Sequence, residues 1–209
     1  MHPSADMIQP EELKQLAQRW GQPKLIEKQV PVAPGLEQKM VQDFFADRRG
    51  EVVMAVRRKK DGRVWVMTKE SFPQGLYSLP TGGIRHHEAI SAALWRELQE
   101  ETGFEAQLQQ FLAVIRYVPV VAPGDPQDVP PFVSCVFLLE EAKGSHPIVS
   151  SGEKILNFKT VAPGELLDIA REWSELSGSS REFHDLAAWG TFRMLTHQLV
   201  GEVLRSRQR

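Results

Sequence analysis

Cysteine occurs once in the 209 residues, so no disulfide can form within the chain. Cys135 stands in the apolar segment FVSCVFLL at residues 132–139, which reads as a buried, inert thiol rather than a nucleophile. No run approaches the roughly 18 consecutive apolar residues that span a bilayer. The opening residues MHPSADMIQPEELKQ lack the charged-then-apolar pattern of a secretory signal, so a cytoplasmic location and no membrane partner are expected. Excess charge of either sign is missing too. With 25 Lys and Arg against 27 Asp and Glu, a net charge of −2 and a pI near 6.3, nucleic acid is disfavoured as a partner. Internal repeats and low-complexity tracts are absent. The 42% hydrophobic content over this length supports one sizeable core and is short for two.

The most informative segment is residues 82–104, GGIRHHEAISAALWRELQEETGF. Gly82 and Gly83 follow Leu79-Pro80-Thr81 and are expected to make a tight turn between a strand and a helix, using backbone angles that other residues avoid. The helix is expected to begin at Glu88. Ile90, Ala93, Leu94 and Leu98 recur at helical spacing and form an apolar face. At about 100° per residue, Glu97 and Glu101 fall within the same sector and Glu100 at its margin. The helix thus packs with its first half and presents carboxylates with its second. Carboxylates in the last turns face the partial negative charge of the helix end, each at about 0.3–1 kcal/mol, and a bound cation reverses that sign. Alone, E-x-x-E-E reads more readily as a solvated acidic face.

The whole segment resembles the Nudix hydrolase signature, G-x5-E-x7-R-E-U-x-E-E-x-G-U, where U is a bulky aliphatic or aromatic residue. Every specified position is filled, by Gly82, Glu88, Arg96, Glu97, Leu98, Glu100, Glu101, Gly103 and Phe104. A chance match is on the order of one in ten million. The family commonly has a small residue where Thr81 stands and Gly where His87 stands, and these departures leave the shape of the phosphate-side loop open. The adjacent His86 and His87, pointing in different directions, are expected at the surface.

The resemblance implies divalent-metal-dependent hydrolysis of a pyrophosphate bond in a nucleoside diphosphate linked to another moiety, with Mg²⁺ or Mn²⁺ as cofactor. It implies Glu97, Glu100 and Glu101 as metal ligands, a backbone carbonyl from Gly82, and Arg96 as the partner that orients a signature glutamate. For the general base it leaves Glu100 or Glu97, with Glu153 of Ser151-Gly152-Glu153 as a candidate outside the signature. The partner is then a small nucleotide-type molecule, and a homodimer is left open. A catalytically silent nucleotide-binding sensor of the same fold is the alternative, opposed by the intact carboxylates. An isomerase of related fold would need a catalytic cysteine, for which Cys135 is poorly placed.

The remaining pattern suggests a layered α/β arrangement, which the resemblance sharpens to a Nudix-type α/β/α sandwich with a mixed sheet. Three parts are expected: an N-terminal helix and extended arm over 1–46, the hydrolase domain over 47–178, and a C-terminal helix over 179–209 packed on it. A helix is expected at 11–20, an extended arm with three prolines at 23–35, and strands at 51–58 and 63–69 joined by a hairpin at Lys60-Asp61-Gly62. Further strands fall at 108–121, 132–140 and 155–161, and helices at 163–175 and 181–205. Prolines at 119, 123, 126, 130 and 131 mark the intervening loop as long and stiff, a candidate for substrate selection. Pro119 stands near where a proline marks ADP-ribose-cleaving relatives. Trp65, Phe72, Tyr77 and Tyr117 could serve as stacking surfaces for a base or as core.

Overall fold

A computed structural model of the chain describes residues 8–31, 47–120, 130–142, 147–148, 154–178 and 184–207. Helix α1 (Pro10–Trp20) leads into strand β1 (Lys24–Pro31), followed by β2 (Arg48–Arg57), β3 (Val64–Lys69) and β4 (Thr81–Arg85). Helix α2 (Ile90–Thr102) carries the signature, and β5 (Ala106–Val120), β6 (Phe132–Glu141) and β7 (Ile155–Val161) complete the sheet. A 3-10 turn at Pro163–Glu165 opens α3 (Leu166–Gly178), and α4 (His184–Ser206) closes the chain.

The sheet has the order β1-β5-β6-β2-β3-β7, with β4 on the edge of β2. It is mixed: β1 with β5 and β2 with β6 run parallel, and the other pairs antiparallel. Alternation along β2 divides the core between two faces. Val52, Met54 and Val56 pack with Ile90, Ala93, Leu94 and Leu98 of α2 and Leu16 of α1. Val53 and Ala55 pack on the other face with Leu166, Ile169 and Trp173 of α3 and Phe192, Leu199 and Val200 of α4. Helices on both faces of a mixed sheet make the expected α/β/α sandwich. None of the described helices is long and apolar enough to cross a membrane.

Several local expectations need correction. Within the expected extended arm, residues 24–31 form a strand of the sheet, because Lys24 through Pro31 pair in parallel register with Ala113 through Val120. Its periodicity is faint, as an edge strand with only Val30 buried. Residues 81–85 likewise form a strand rather than a turn, with Val52 opposite Gly82 and Glu51 opposite Gly83. The hairpin at Lys60-Asp61-Gly62 is present, its Gly62 at φ 72, but β2 and β3 pair only at Arg57 and Val64. Beyond that point β4 occupies the edge of β2. The arginines around this hairpin are paired, Arg58 with Asp61, Arg57 with Glu140 and Arg63 with Glu165. Cys135 is fully buried, and burial pushes its thiol well above the ordinary range. Tyr117 is core, and Trp65 packs on Phe104. The loop at 121–129 and Glu153 lie outside the described residues.

Candidate active site

Strand β4 brings Gly82 directly against α2. A Cβ at residue 82 would stand 2.0 Å from the carboxyl carbon of Glu97, closer than atoms can pack. The glycine therefore leaves the room that the Glu97 carboxylate occupies in this position. Neither Gly82 nor Gly83 is among the positive-φ glycines, and the left-handed residue that turns the chain toward α2 is His87, at φ 62. That conformation favours glycine, the residue the family commonly has there, and the exposed imidazole is accommodated. Glu88 stands before the helix, which starts at Ile90 with Ala89 as its N-cap.

Arg96 gathers the carboxylates. Its Nε donates to Glu88 Oε1 at 2.8 Å and its Nη2 to Glu88 Oε2 at 2.7 Å, a two-point grip that a planar guanidinium allows. The same Nη2 donates to the Gly83 carbonyl at 2.9 Å, while Nη1 donates to Glu97 at 2.6 Å and to Glu100 at 3.0 Å. Glu88 also accepts the Arg85 backbone N–H at 3.0 Å. The Arg96 bonds hold the Glu88 carboxyl below its ordinary range.

Glu101 is 1% exposed and held from two sides. Lys69 Nζ, at the end of β3, donates to its Oε1 at 2.6 Å, and the Thr81 backbone N–H donates to its Oε2 at 2.8 Å. Burial pushes its pKa up to about 7 against the opposing pull of Lys69. The exposure of the three glutamate side chains follows the helical projection: Glu100 42%, Glu97 11% and Glu101 2%.

All three line one cleft of about 290 Å³, together with Asp47, Arg48, Lys69, Arg85 and Arg96 and the backbone of Thr81, Gly82 and Gly83. Four cations beside a row of carboxylates suit a polyphosphate and a hard divalent ion together. Glu97 and Glu100 turn toward Arg96 and Glu101 toward Lys69, and among the described residues no three acidic, His or Cys side chains stand as a ready set of ligands. The donor chemistry nonetheless fits such an ion, since oxygen donors share one cleft and the missing Cβ of Gly82 keeps the Glu97 carboxylate at its wall.

The signature residues Gly82, Arg96, Glu97, Glu100 and Glu101 are therefore brought together. Sequence reasoning passed over Lys69, Arg48, Arg85 and Asp47. Lys69 reaches Glu101 across 32 residues and carries no local mark beyond its place at a strand end.

A NUDIX domain model matches residues 48–183, well over half of the chain. No curated protein matches it. A solved structure described as a NUDIX hydrolase from Listeria monocytogenes is 12% identical, covering 76% of this chain and 95% of its own, with a TM-score of 0.50. A C. elegans Ap4A hydrolase complex is 16% identical over 73% of this chain and 98% of its own, with a TM-score of 0.46. The E. coli dihydroneopterin triphosphate pyrophosphohydrolase is 16% identical over 60% and 86%, with a TM-score of 0.41. With a domain match over more than half of its length, and with Gly82, Arg96, Glu97, Glu100 and Glu101 of the signature lining one cleft, the chain belongs to the Nudix family.

Proposed function

We propose that the chain hydrolyses a pyrophosphate bond in a nucleoside diphosphate linked to another moiety, in the cleft between β4 and α2. One observation carries this reading: Glu97, Glu100 and Glu101 line a single cleft with Arg48, Lys69, Arg85 and Arg96. Glu97, Glu100 and Glu101, with the Gly82 carbonyl, would hold Mg²⁺ or Mn²⁺, which when bound neutralises phosphate charge and makes water more acidic. Arg48 and Arg85 attract and orient the diphosphate. Arg96 holds Glu97 and Glu100 at fixed positions through its own anchorage on Glu88.

Glu100 is the base this reading favours, because it is the most exposed of the three carboxylates and faces the cleft. A water oxygen attacks phosphorus while its proton passes to Glu100, and the bridging oxygen departs with the bonding electron pair. Glu97 is the second candidate and Glu153 the third. The active-site cations stabilise the charge that gathers on the leaving oxygen. The moiety attached to the diphosphate is chosen outside the signature, and the proline-rich loop remains our candidate for that role.

Purified chain with Mg²⁺ or Mn²⁺, screened against ADP-ribose, NADH, diadenosine polyphosphates, nucleotide sugars and nucleoside triphosphates, tests the reading. Turnover of at least one, with release of a nucleotide or phosphate fragment, is expected. Binding without turnover across the panel would overturn hydrolysis in favour of the sensor.

A further inference from the structure

Helix α2 does not cap itself. Its N-cap, Ala89, has no side-chain acceptor, and its first turn holds no acidic residue. The first backbone N–H groups of a helix have no intrahelical partner and carry partial positive charge. Here the acceptor comes from α1. Glu12 Oε1 accepts the Ile90 N–H at 2.7 Å across 78 residues. The same carboxylate takes Arg49 Nη2 at 3.1 and 2.9 Å, and that nitrogen donates to the Glu88 carbonyl at 2.5 Å. The Arg49 and Glu12 side chains are only 9% and 23% exposed, so water screens this pair little.

We propose that Glu12, which precedes the matched domain, is a positioning residue for the cleft: it caps the signature helix from α1 and, through Arg49, fixes the backbone at Glu88. Glu88 in turn holds Arg96, whose guanidinium holds Glu97 and Glu100. A shift at the start of α2 is thereby passed to the carboxylates about two and three turns later. The α1 helix is part of the active-site scaffold rather than an appendage. This inference rests on the hydrolase reading for its kinetic consequence alone.

The test uses the full chain carrying Glu12→Ala, Glu12→Gln, and Glu12→Ala combined with Ala89→Ser. Ala89 is exposed and has the extended backbone of an N-cap, so a serine hydroxyl there can accept the Ala92 N–H. Glu12→Ala should lower kcat about tenfold with KM within about twofold, and speed exchange of the Ile90 amide by a similar factor. Adding Ala89→Ser should restore most of kcat and slow the Ala92 amide without restoring Ile90. A lower Tm with unchanged kcat and unchanged Ile90 exchange would reduce Glu12 to a tether and overturn the proposal, as would failure of Ala89→Ser to rescue. Should Glu12→Ala not fold, Glu12→Gln is read instead: it keeps an acceptor for Ile90, so that amide stays protected, while losing the charge facing Arg49 lowers kcat with KM unchanged, and a wild-type kcat would overturn the proposal. A wild-type chain without turnover sinks the hydrolase reading, and amide exchange then decides the positioning by itself.

Discussion

Gly82 and Glu97 share a space that admits only one side chain: a Cβ on residue 82 would lie 2.0 Å from the Glu97 carboxyl carbon. Gly82→Ala should therefore leave the backbone conformation allowed and push the Glu97 carboxylate off Arg96. A loss of at least about 10²-fold in kcat is expected with a modest fall in Tm, because a flexible side-chain end can move where a backbone cannot. Near-normal kcat/KM in a folded variant would show that the position of Glu97 is not used.

Arg96 makes five hydrogen bonds to Glu88, Glu97, Glu100 and the Gly83 carbonyl. A lysine keeps the charge and loses the two-point grip on Glu88. Arg96→Lys is expected to lower kcat by about 10²-fold, and also Tm, since Glu88 is left partly buried with a poorer partner. Parallel kinetics and thermal melts check it; wild-type values in both would show that a point charge suffices.

Glu100→Gln preserves volume while removing the exposed carboxylate. We expect at least about 10²-fold loss in kcat, about 2.7 kcal/mol of barrier, with Tm unchanged or slightly raised without metal, since a negative charge leaves the end of α2. Substantial turnover by this variant under limiting metal would return the role of base to Glu97 or Glu153.

Thorough chelation should abolish turnover, and Mg²⁺ or Mn²⁺ should restore it. The fold should persist throughout, because Ile90, Ala93 and Leu94 are fully buried against the sheet and anchor α2 independently of any ion. Activity and circular dichroism followed through the same titration separate the two effects. Turnover that survives metal removal contradicts the proposed chemistry.

His197 supplies a pH dependence on the opposite face of the sheet. Its Nε2 accepts the Leu79 N–H at 2.9 Å and its Nδ1 faces the Arg193 carbonyl at 2.5 Å, a pattern that suits the neutral ring. Burial pushes its pKa down to about 3 from an ordinary 6.5. The unfolded chain then binds more protons between these values, so this residue's stability is fully present above pH 6.5 and is lost as pH falls toward 3. One proton limits the slope to about 1.4 kcal/mol per pH unit. Denaturant melts from pH 7.5 to 5 should show wild type losing its advantage over His197→Gln. A constant difference across that range would mean that His197 does not titrate on unfolding.

The helices could be read from the chain because their apolar residues recur within a few positions: Ile90, Ala93, Leu94 and Leu98 mark α2 with no reference to anything distant. The same local projection set Glu97 and Glu101 on the buried side of the helix and Glu100 at its margin, as the exposures have it. The grouping of the carboxylates was legible for the same reason, as they are neighbours on one helix. What escaped depends on partners remote in sequence. Strand β1 has little alternation because it lies at a sheet edge, and its identity comes from pairing with β5. Strand β4 is disguised by its glycines, of which Gly82 gives room to Glu97 and neither takes an unusual backbone angle. Lys69 on Glu101, Glu12 on Ile90 and His197 on Leu79 join positions separated by 32, 78 and 118 residues. Hydrogen bonds across such distances leave no period in the sequence, since the fold sets which side chains meet.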